Sequence, residues 1–536
     1  MSCLSSTDVL VIGGGAAGLR AAIAAAKEGA KVAIASKAPI GYASSTMYAG
    51  GGFKAAFEGY SLERHFEETI VGGKFLNDQE LVRLMVLEAP ERLLELKNFG
   101  VEIKVRPGGT YVHGTPPASG LGLVKPLANY ASSIGVKFIE GVMAIDILVE
   151  DRVYGVILYD VNSGKVRAVS AKAVILATGG YSQLFLRNDN PVRVTGDGCA
   201  MALKAGANLI DMEFTQFFPL GLAEKGMPTW LFPAVSGKLV NSINEDILEK
   251  YHIDAPLSVA AIQFRDLLSR AMWIEIKEGR GVDEALILDL SSEAGGKSKI
   301  LSRIAQSLIR ILKITKSRVK VAPLAHFTMG GVEIGVNGET KVPGLYACGE
   351  VAGGVHGANR LGGNALTEAI VFGARAGRAA AEWAKTCKEI GIDQGIIKKY
   401  EAQISAFKVG RINPKELKLK LKSAMWHKCG VIRNKDDLNE LLKFIAEVKS
   451  EAREIRASNK IEVMEALELQ NMILIAEVVG MSALLREESR GAHYRSDFPN
   501  QRDDTWLKRI VIRLDKDKIY TNFKQVKLKY LALKDL

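Results

Sequence analysis

Asp8-Val-Leu-Val-Ile-Gly-Gly-Gly-Ala-Ala-Gly18 is a short apolar run of strand type that breaks at once into a glycine turn. Leu19 to Lys27 follows as an alanine-rich helix, and Ala30-Lys-Val-Ala-Ile34 as a second strand. Strand, G-x-G-x-x-G, helix and strand within about 30 residues is the setting in which that spacing binds a dinucleotide. Gly13 permits the tight turn, Gly15 lets the backbone approach a pyrophosphate, and Gly18 lets helix pack on strand. The helix N-terminus, at Ala16 and Ala17, offers free N–H groups and the positive end of the helix dipole to that pyrophosphate. Ribose recognition usually takes a carboxylate at the end of the second strand. Here the segment ends Ala35-Ser36-Lys37, so Ser36 offers a neutral hydroxyl instead.

Two further segments carry an apolar run ending in glycine, Ala173-Val-Ile-Leu-Ala-Thr-Gly-Gly180 and Gly344-Leu-Tyr-Ala-Cys-Gly-Glu350. Their wide separation predicts one parallel sheet assembled from both halves of the chain, with the segment between them inserted. A length of 536 residues implies two to four domains. Apolar residues at 48% and charged residues at 24% are a globular composition. The most apolar late stretch, Met472 to Leu485, is broken by Glu477, so no membrane span is expected. The opening MSCLSSTDV has neither a basic start nor a cleavable apolar segment, and export is not expected. Cys3, Cys199, Cys348, Cys387 and Cys429 are scattered, which argues against a disulfide framework, a metal site or a cluster held by this chain and fits a reducing cytoplasm. The net charge of +11 comes without an aromatic-interleaved basic stripe, so it reads as a solvated face and no nucleic acid is expected. A basic amphipathic helix is expected around Ile300 to Leu312, packed within its domain.

Five more blocks follow in order: Ser44-Ser-Thr-Met-Tyr-Ala-Gly-Gly-Gly52, Thr195-Gly-Asp-Gly198, His326-Phe-Thr-Met-Gly-Gly331, His356-Gly-Ala-Asn-Arg-Leu-Gly-Gly-Asn364, and Arg486-Glu-Glu-Ser-Arg-Gly-Ala-His493. With the glycine-tipped strands and the Ser36-Lys37 ending, they resemble the flavoprotein subunits of succinate dehydrogenase and fumarate reductase, and their relative L-aspartate oxidase. The resemblance implies an α/β fold: a Rossmann-like FAD-binding domain (1–226 and 325–390) with an inserted α+β capping domain (227–324), then a C-terminal helical domain (391–508) and a tail (509–536). The patterning supports the late boundary, since Lys/Glu/Leu-rich helical sequence such as Asp437 to Arg453 replaces the glycine-rich segments beyond Lys388. The resemblance also implies FAD as cofactor, held by Gly13, Gly15, Ala16, Ala17, Gly18, Ser36, Lys37, Ser44, Ser45, Thr46, Gly51, Gly52, Thr178, Gly179, Asp197, Glu350, Asn364, Ala365 and Leu366. The membrane-bound relatives place a histidine, covalently joined to the flavin, where this chain has Ser45. Non-covalent FAD is therefore expected.

The chemistry implied by the resemblance is hydride transfer between flavin N5 and a carbon beside a carboxylate. Cations must hold the carboxylate while charge develops, and a proton donor must sit within reach. His326 and Arg360 match the residues that hold one carboxylate, and Arg265 matches the proton donor. Thr229 matches the threonine of the family's T-E-x-x-R-G-E-G-G stretch and is counted with these catalytic residues. Arginine is not neutral at rest, so donation from Arg265 is expected to be concerted with hydride transfer. Where the dicarboxylate enzymes read F-x-Q-F-H-P-T, this chain reads Phe214-Thr-Gln-Phe-Phe218-Pro-Leu220. The glutamate and arginine of the family's proton relay are Trp230 and Pro233. All three changes remove polar groups from one half of the site, and an unpartnered carboxylate buried there costs several kcal/mol. A small acid with one carboxylate and an apolar end is the substrate expected, unless neighbours such as Lys238 and His252 supply the missing groups. An iron–sulfur electron partner on a separate chain is implied, with membrane contact through that partner at most. Two alternatives stand beside it: a stand-alone enzyme like L-aspartate oxidase, and a flavin electron-relay subunit without its own catalysis.

Overall fold

The strand Ser6–Ile12 lies inside a sheet, with Val9, Leu10 and Val11 wholly shielded from solvent. A strand buried on both faces is aliphatic throughout, which is why this one does not alternate. The computed structural model of the chain describes residues 5–113, 119–224, 237–290 and 318–533. Ser6–Ile12 pairs in parallel with Val32–Ser36 on one side and Lys165–Leu176 on the other. Leu345–Ala347 lies parallel to the end of Lys165–Leu176, with Leu345 opposite Val174. The three glycine-tipped strands thus share one sheet, as the sequence predicts, and their C-terminal ends lie side by side. Lys137–Glu140 extends the sheet past Val32–Ser36, while Val142–Val149 and Val153–Asp160 add an antiparallel meander. The second strand runs slightly later than expected and ends on Ser36 itself.

Helix Ala16–Lys27 packs along helix Asn364–Thr386 through a seam of small residues. A Cβ on Gly377 would fall 2.1 Å from the Ala21 carbonyl oxygen, so these backbones touch directly. The inserted segment builds a separate sheet from Thr215–Leu222, Arg318–Thr328, Leu286–Asp289 and Lys238–Val240. With helices Leu257–Gln263 and Arg265–Lys277 it encloses its own apolar core around Leu220, Leu268, Met272 and Val321. Its two longest strands lead back to the parallel sheet and carry the junction residues of the site.

The late helices are Gln394–Ala406, Pro414–Cys429, Lys435–Glu451 and Lys460–Leu485. Asn413, Asn434 and Asn459 each cap a helix start by accepting a backbone N–H. Lys460–Leu485 is long and apolar enough to cross a bilayer, yet 67% of its most apolar window is buried inside the protein. The Arg486 block locks this region to the domain of the parallel sheet: Arg486 Nε lies 2.6 Å from Glu213 Oε1, and Glu488 bridges Arg486 and Arg490.

The stretch expected as a tail, 509–536, is corrected. Lys508–Asp515 and Lys518–Gln525 form a hairpin whose first strand pairs with Leu209–Ile210. Ile510 and Ile512 are buried there, and the turn residues Lys516 and Asp517 both have positive φ, as tight hairpin turns require. Thr229, Trp230, Pro233 and the amphipathic helix expected around Ile300 to Leu312 lie outside the described residues.

Candidate active site

A cavity of about 1070 Å³ opens where the parallel strands end, the place where open α/β sheets bind ligands. The glycine turn forms one wall. Gly13 has φ +116°, and a Cβ there would lie 2.2 Å from the Ala177 carbonyl oxygen, so no other residue fits. Helix Ala16–Lys27 begins at Gly15, which has no side chain to cap it; Ala16 N, expected free, donates to Thr46 Oγ1 at 3.2 Å, and the rest of the first turn can meet an anion. A second helix, Asn364–Thr386, also starts uncapped, at Gly363, and its Ala365 and Leu366 line the same cavity. The Thr178 hydroxyl is buried without a partner among the described residues. Two uncapped helix starts, an unpartnered hydroxyl and a cleft of this volume fit a bound dinucleotide. Lys37 reaches Asp197 Oδ2 at 2.6 Å and Glu468 Oε1 at 2.8 Å. Burial alone would lower the Lys37 pKa, but those two carboxylates outweigh it and raise it.

At the other wall the strand Arg318–Thr328 carries a bulge. Phe327 opposes Gln216 and Ala325 opposes Phe217, so His326 is the extra, unpaired residue. Bulges of this kind re-aim a side chain, and His326 lines the cavity. Its Nδ1 lies 2.7 Å from Asp189 Oδ2. Arg360 is buried and its Nε has no partner among the described residues, although its Nη2 donates to Gln216 Oε1 at 2.8 Å. The same Oε1 accepts from Arg265 Nη1 at 3.1 Å. One amide oxygen therefore holds two guanidinium groups side by side. Burial lowers the Arg360 pKa to about 9, aided by Arg265 and opposed by Glu350 and Asp189. Burial lowers Arg265 too, against Asp266. Arg265 opens helix Arg265–Lys277, where a cation runs against the helix dipole. Glu350 accepts from Thr328 N at 3.0 Å, yet burial pushes it up to about 7.

Comparisons with known proteins identify the family. The FAD binding domain family matches residues 8–366, and the fumarate reductase flavoprotein C-terminal family matches 418–535. Over 541 residues the chain is 36% identical to a component of the fumarate reductase (CoM/CoB) of Methanothermobacter marburgensis, covering 95% of this chain and 97% of the other. It is 34% identical over 580 residues to the succinate dehydrogenase flavoprotein subunit of Rickettsia conorii, covering 98% and 96%. The chain belongs to the succinate dehydrogenase and fumarate reductase flavoprotein family. Among solved structures, FrdA of E. coli quinol fumarate reductase superposes with a TM-score of 0.88 at 29% identity, covering 99% of this chain and 98% of that one. As a member of this family the protein is an FAD-dependent oxidoreductase, and its fold is the family's.

Within this flavoprotein fold, most of the anticipated residues meet at one place. Gly13, Gly15, Ala16, Ala17, Ser36, Lys37, Ser44, Ser45, Thr46, Gly51, Gly52, Thr178, Gly179, Asp197, Glu350, Ala365 and Leu366 line the cavity, together with Arg265, His326 and Arg360. Two residues lie behind its wall. Gly18 faces the turn, where a Cβ would meet the Gly13 carbonyl oxygen at 2.1 Å, and Asn364 is buried against His65 and Thr69. Ser45 Oγ donates to Asn190 Oδ1 at 3.0 Å. Phe218 lines the cavity with its ring centroid 5.8 Å from that of His326. Lys238 and His252 line a separate depression on the cap and do not reach this site. Sequence reasoning missed Asp189 and Asn190, which sit on an irregular loop. It also gives no role to Gln216, although the pattern around that residue is legible.

Proposed function

We propose that this flavoprotein moves a hydride to or from a carbon beside a carboxylate, on a small acid with one carboxylate and an apolar end. Bound in the cavity, FAD supplies the hydride acceptor or donor. His326 and the unpartnered Arg360 Nε hold the carboxylate, as buried hydrogen-bond donors do for an anion. Arg265 gives the proton to the substrate carbon as the hydride arrives, and withdraws it in the reverse direction. The observation that carries this reading is the paired arrangement at Gln216 Oε1, which sets Arg265 and Arg360 side by side while Phe218 stands next to His326. A second carboxylate placed against Phe218 loses water without gaining a partner there.

The relatives named as fumarate reductase and succinate dehydrogenase subunits support the reaction class. Their being parts of larger enzymes also supports electron exchange with a separate iron–sulfur chain, in the cytoplasm or at a membrane face reached through that partner. Cys199, Cys348, Cys387 and Cys429 are all unpaired. Co-purification with a cluster-bearing protein separates this arrangement from a stand-alone oxidase like the Streptomyces coelicolor L-aspartate oxidase, 33% identical over 547 residues.

The substrate reading is tested by reducing the flavin anaerobically and mixing with fumarate, crotonate or cinnamate. Reoxidation should be faster with a monocarboxylate than with fumarate, by roughly ten-fold or more given the cost of burying an unpaired carboxylate. Equal or faster reoxidation by fumarate sinks it.

A further inference from the structure

The cavity also contains a carboxylate that the reaction above does not use. Asp189 follows the short helical turn Ser182–Leu184, lines the cavity, and holds His326 Nδ1 at 2.7 Å. The two side chains are 14% and 28% exposed, respectively, so water screens the contact poorly. The loop is laced to the bulged strand on both sides of the histidine. Asp189 N donates to the Ala325 carbonyl at 3.4 Å, and Asn190 Nδ2 donates to the His326 carbonyl at 3.2 Å and to Asp189 Oδ1 at 3.3 Å. Backbone and side chain together fix the carboxylate against the ring, which makes this a built pair.

Such a pair has two consequences. With Nδ1 committed to a carboxylate, Nε2 is the ring nitrogen left for a ligand. A histidine ring beside a carboxylate also contributes no net positive charge. Arg265, Arg360 and the Glu350 carboxyl line the same cavity, with the rings of Phe218 and Phe327. Asp189 favours the charged form of Arg360 and opposes ionisation of Glu350.

We propose that Asp189 is a specificity-determining residue: paired to His326, it cancels positive charge at the end of the cavity where His326 and Arg360 meet one carboxylate, and it repels a second. This rests on the single-carboxylate reading, but is measured independently of it. The probes are butyrate and succinate, whose binding to the FAD-loaded protein is followed by the change in flavin absorbance. In Asp189→Asn the succinate affinity should rise relative to butyrate by roughly ten-fold or more, the scale of one charge removed at close range from a poorly solvated site. Asp189→Glu should restore the wild-type ratio, and Asp189→Thr serves if the asparagine variant does not accumulate folded. The fumarate KM should fall more than kcat changes. An unchanged succinate-to-butyrate ratio in a variant that keeps FAD and melts normally overturns the proposal, as does failure of both acids to bind either protein. If wild type already prefers succinate, the single-carboxylate reading fails. A further shift toward succinate in Asp189→Asn would then still uphold the role of Asp189.

Discussion

Glu368 sits on helix Asn364–Thr386 with one oxygen accepting from Gly349 N at 3.1 Å and the other buried without a partner. Burial raises its pKa to about 8, with Glu350 adding to the shift and the Gly349 N–H opposing it. A carboxyl that titrates higher in the folded chain than in the unfolded one binds more protons when folded. Its favourable contribution is complete below the ordinary carboxylate range and is lost as pH rises toward 8. Glu368→Gln keeps the acceptor for Gly349 and cannot ionise. The variant should match wild type near pH 5 and exceed it by about 1–3 kcal/mol at pH 9, read from unfolding midpoints of the FAD-loaded protein. Parallel curves across that range would contradict it. Residues of this kind differ in how far sequence betrays them. Phe218 was visible because it breaks a fixed local pattern, and Gly13 because its turn admits no side chain. Asp189 lies in a stretch with no period, and its meaning depends on a histidine far along the chain.

Elements were legible where their cause is local. The helix expected from Asp437 to Arg453 forms as Lys435–Glu451, because its apolar spacing and the Asn434 cap are written within one segment. The hairpin after Lys508 was missed because it pairs with the two-residue strand Leu209–Ile210, too short to show a period. The His326 bulge arises between two strands and has no signature in either. Lys460–Leu485 illustrates how one polar residue can anchor an apolar helix. Glu468, fully buried, meets Lys37, Lys418 and Arg193, joining this helix to the nucleotide end of the cavity. Burial would raise its pKa, but these cations hold it at about 2. Its contribution is therefore present above about pH 4.5 and is lost as pH falls toward 2. Glu468→Gln removes the shared charge, and the loss should reach about 2–4 kcal/mol, as for other broken buried pairs. Because Lys37 lines the cavity, FAD affinity should fall as well. A variant with wild-type melting and wild-type FAD retention would show that the network is dispensable.

At the scale of the whole molecule, the cavity is assembled from the first glycine turn, the Ser44 loop, the strand end at Thr178 and the helix start at Gly363. Each supplies only part of the lining, so retention of FAD there should depend on the complete fold. Ser45 lines the cavity, directs its hydroxyl to Asn190 and has no chemistry for a bond to the flavin ring. Acid precipitation should therefore leave all of the FAD in the supernatant, and a yellow pellet would refute a dissociable cofactor. The same premise has an equilibrium consequence. A ligand that binds only the folded chain stabilises it by mass action, by about 2.7 kcal/mol at 100 times its dissociation constant. Thermal midpoints of the protein should accordingly climb with added FAD, while those of a covalently loaded flavoprotein would not. A midpoint that ignores added FAD after full cofactor stripping and reloading would place the flavin outside this equilibrium, and the role assigned to Ser45 would fall with it.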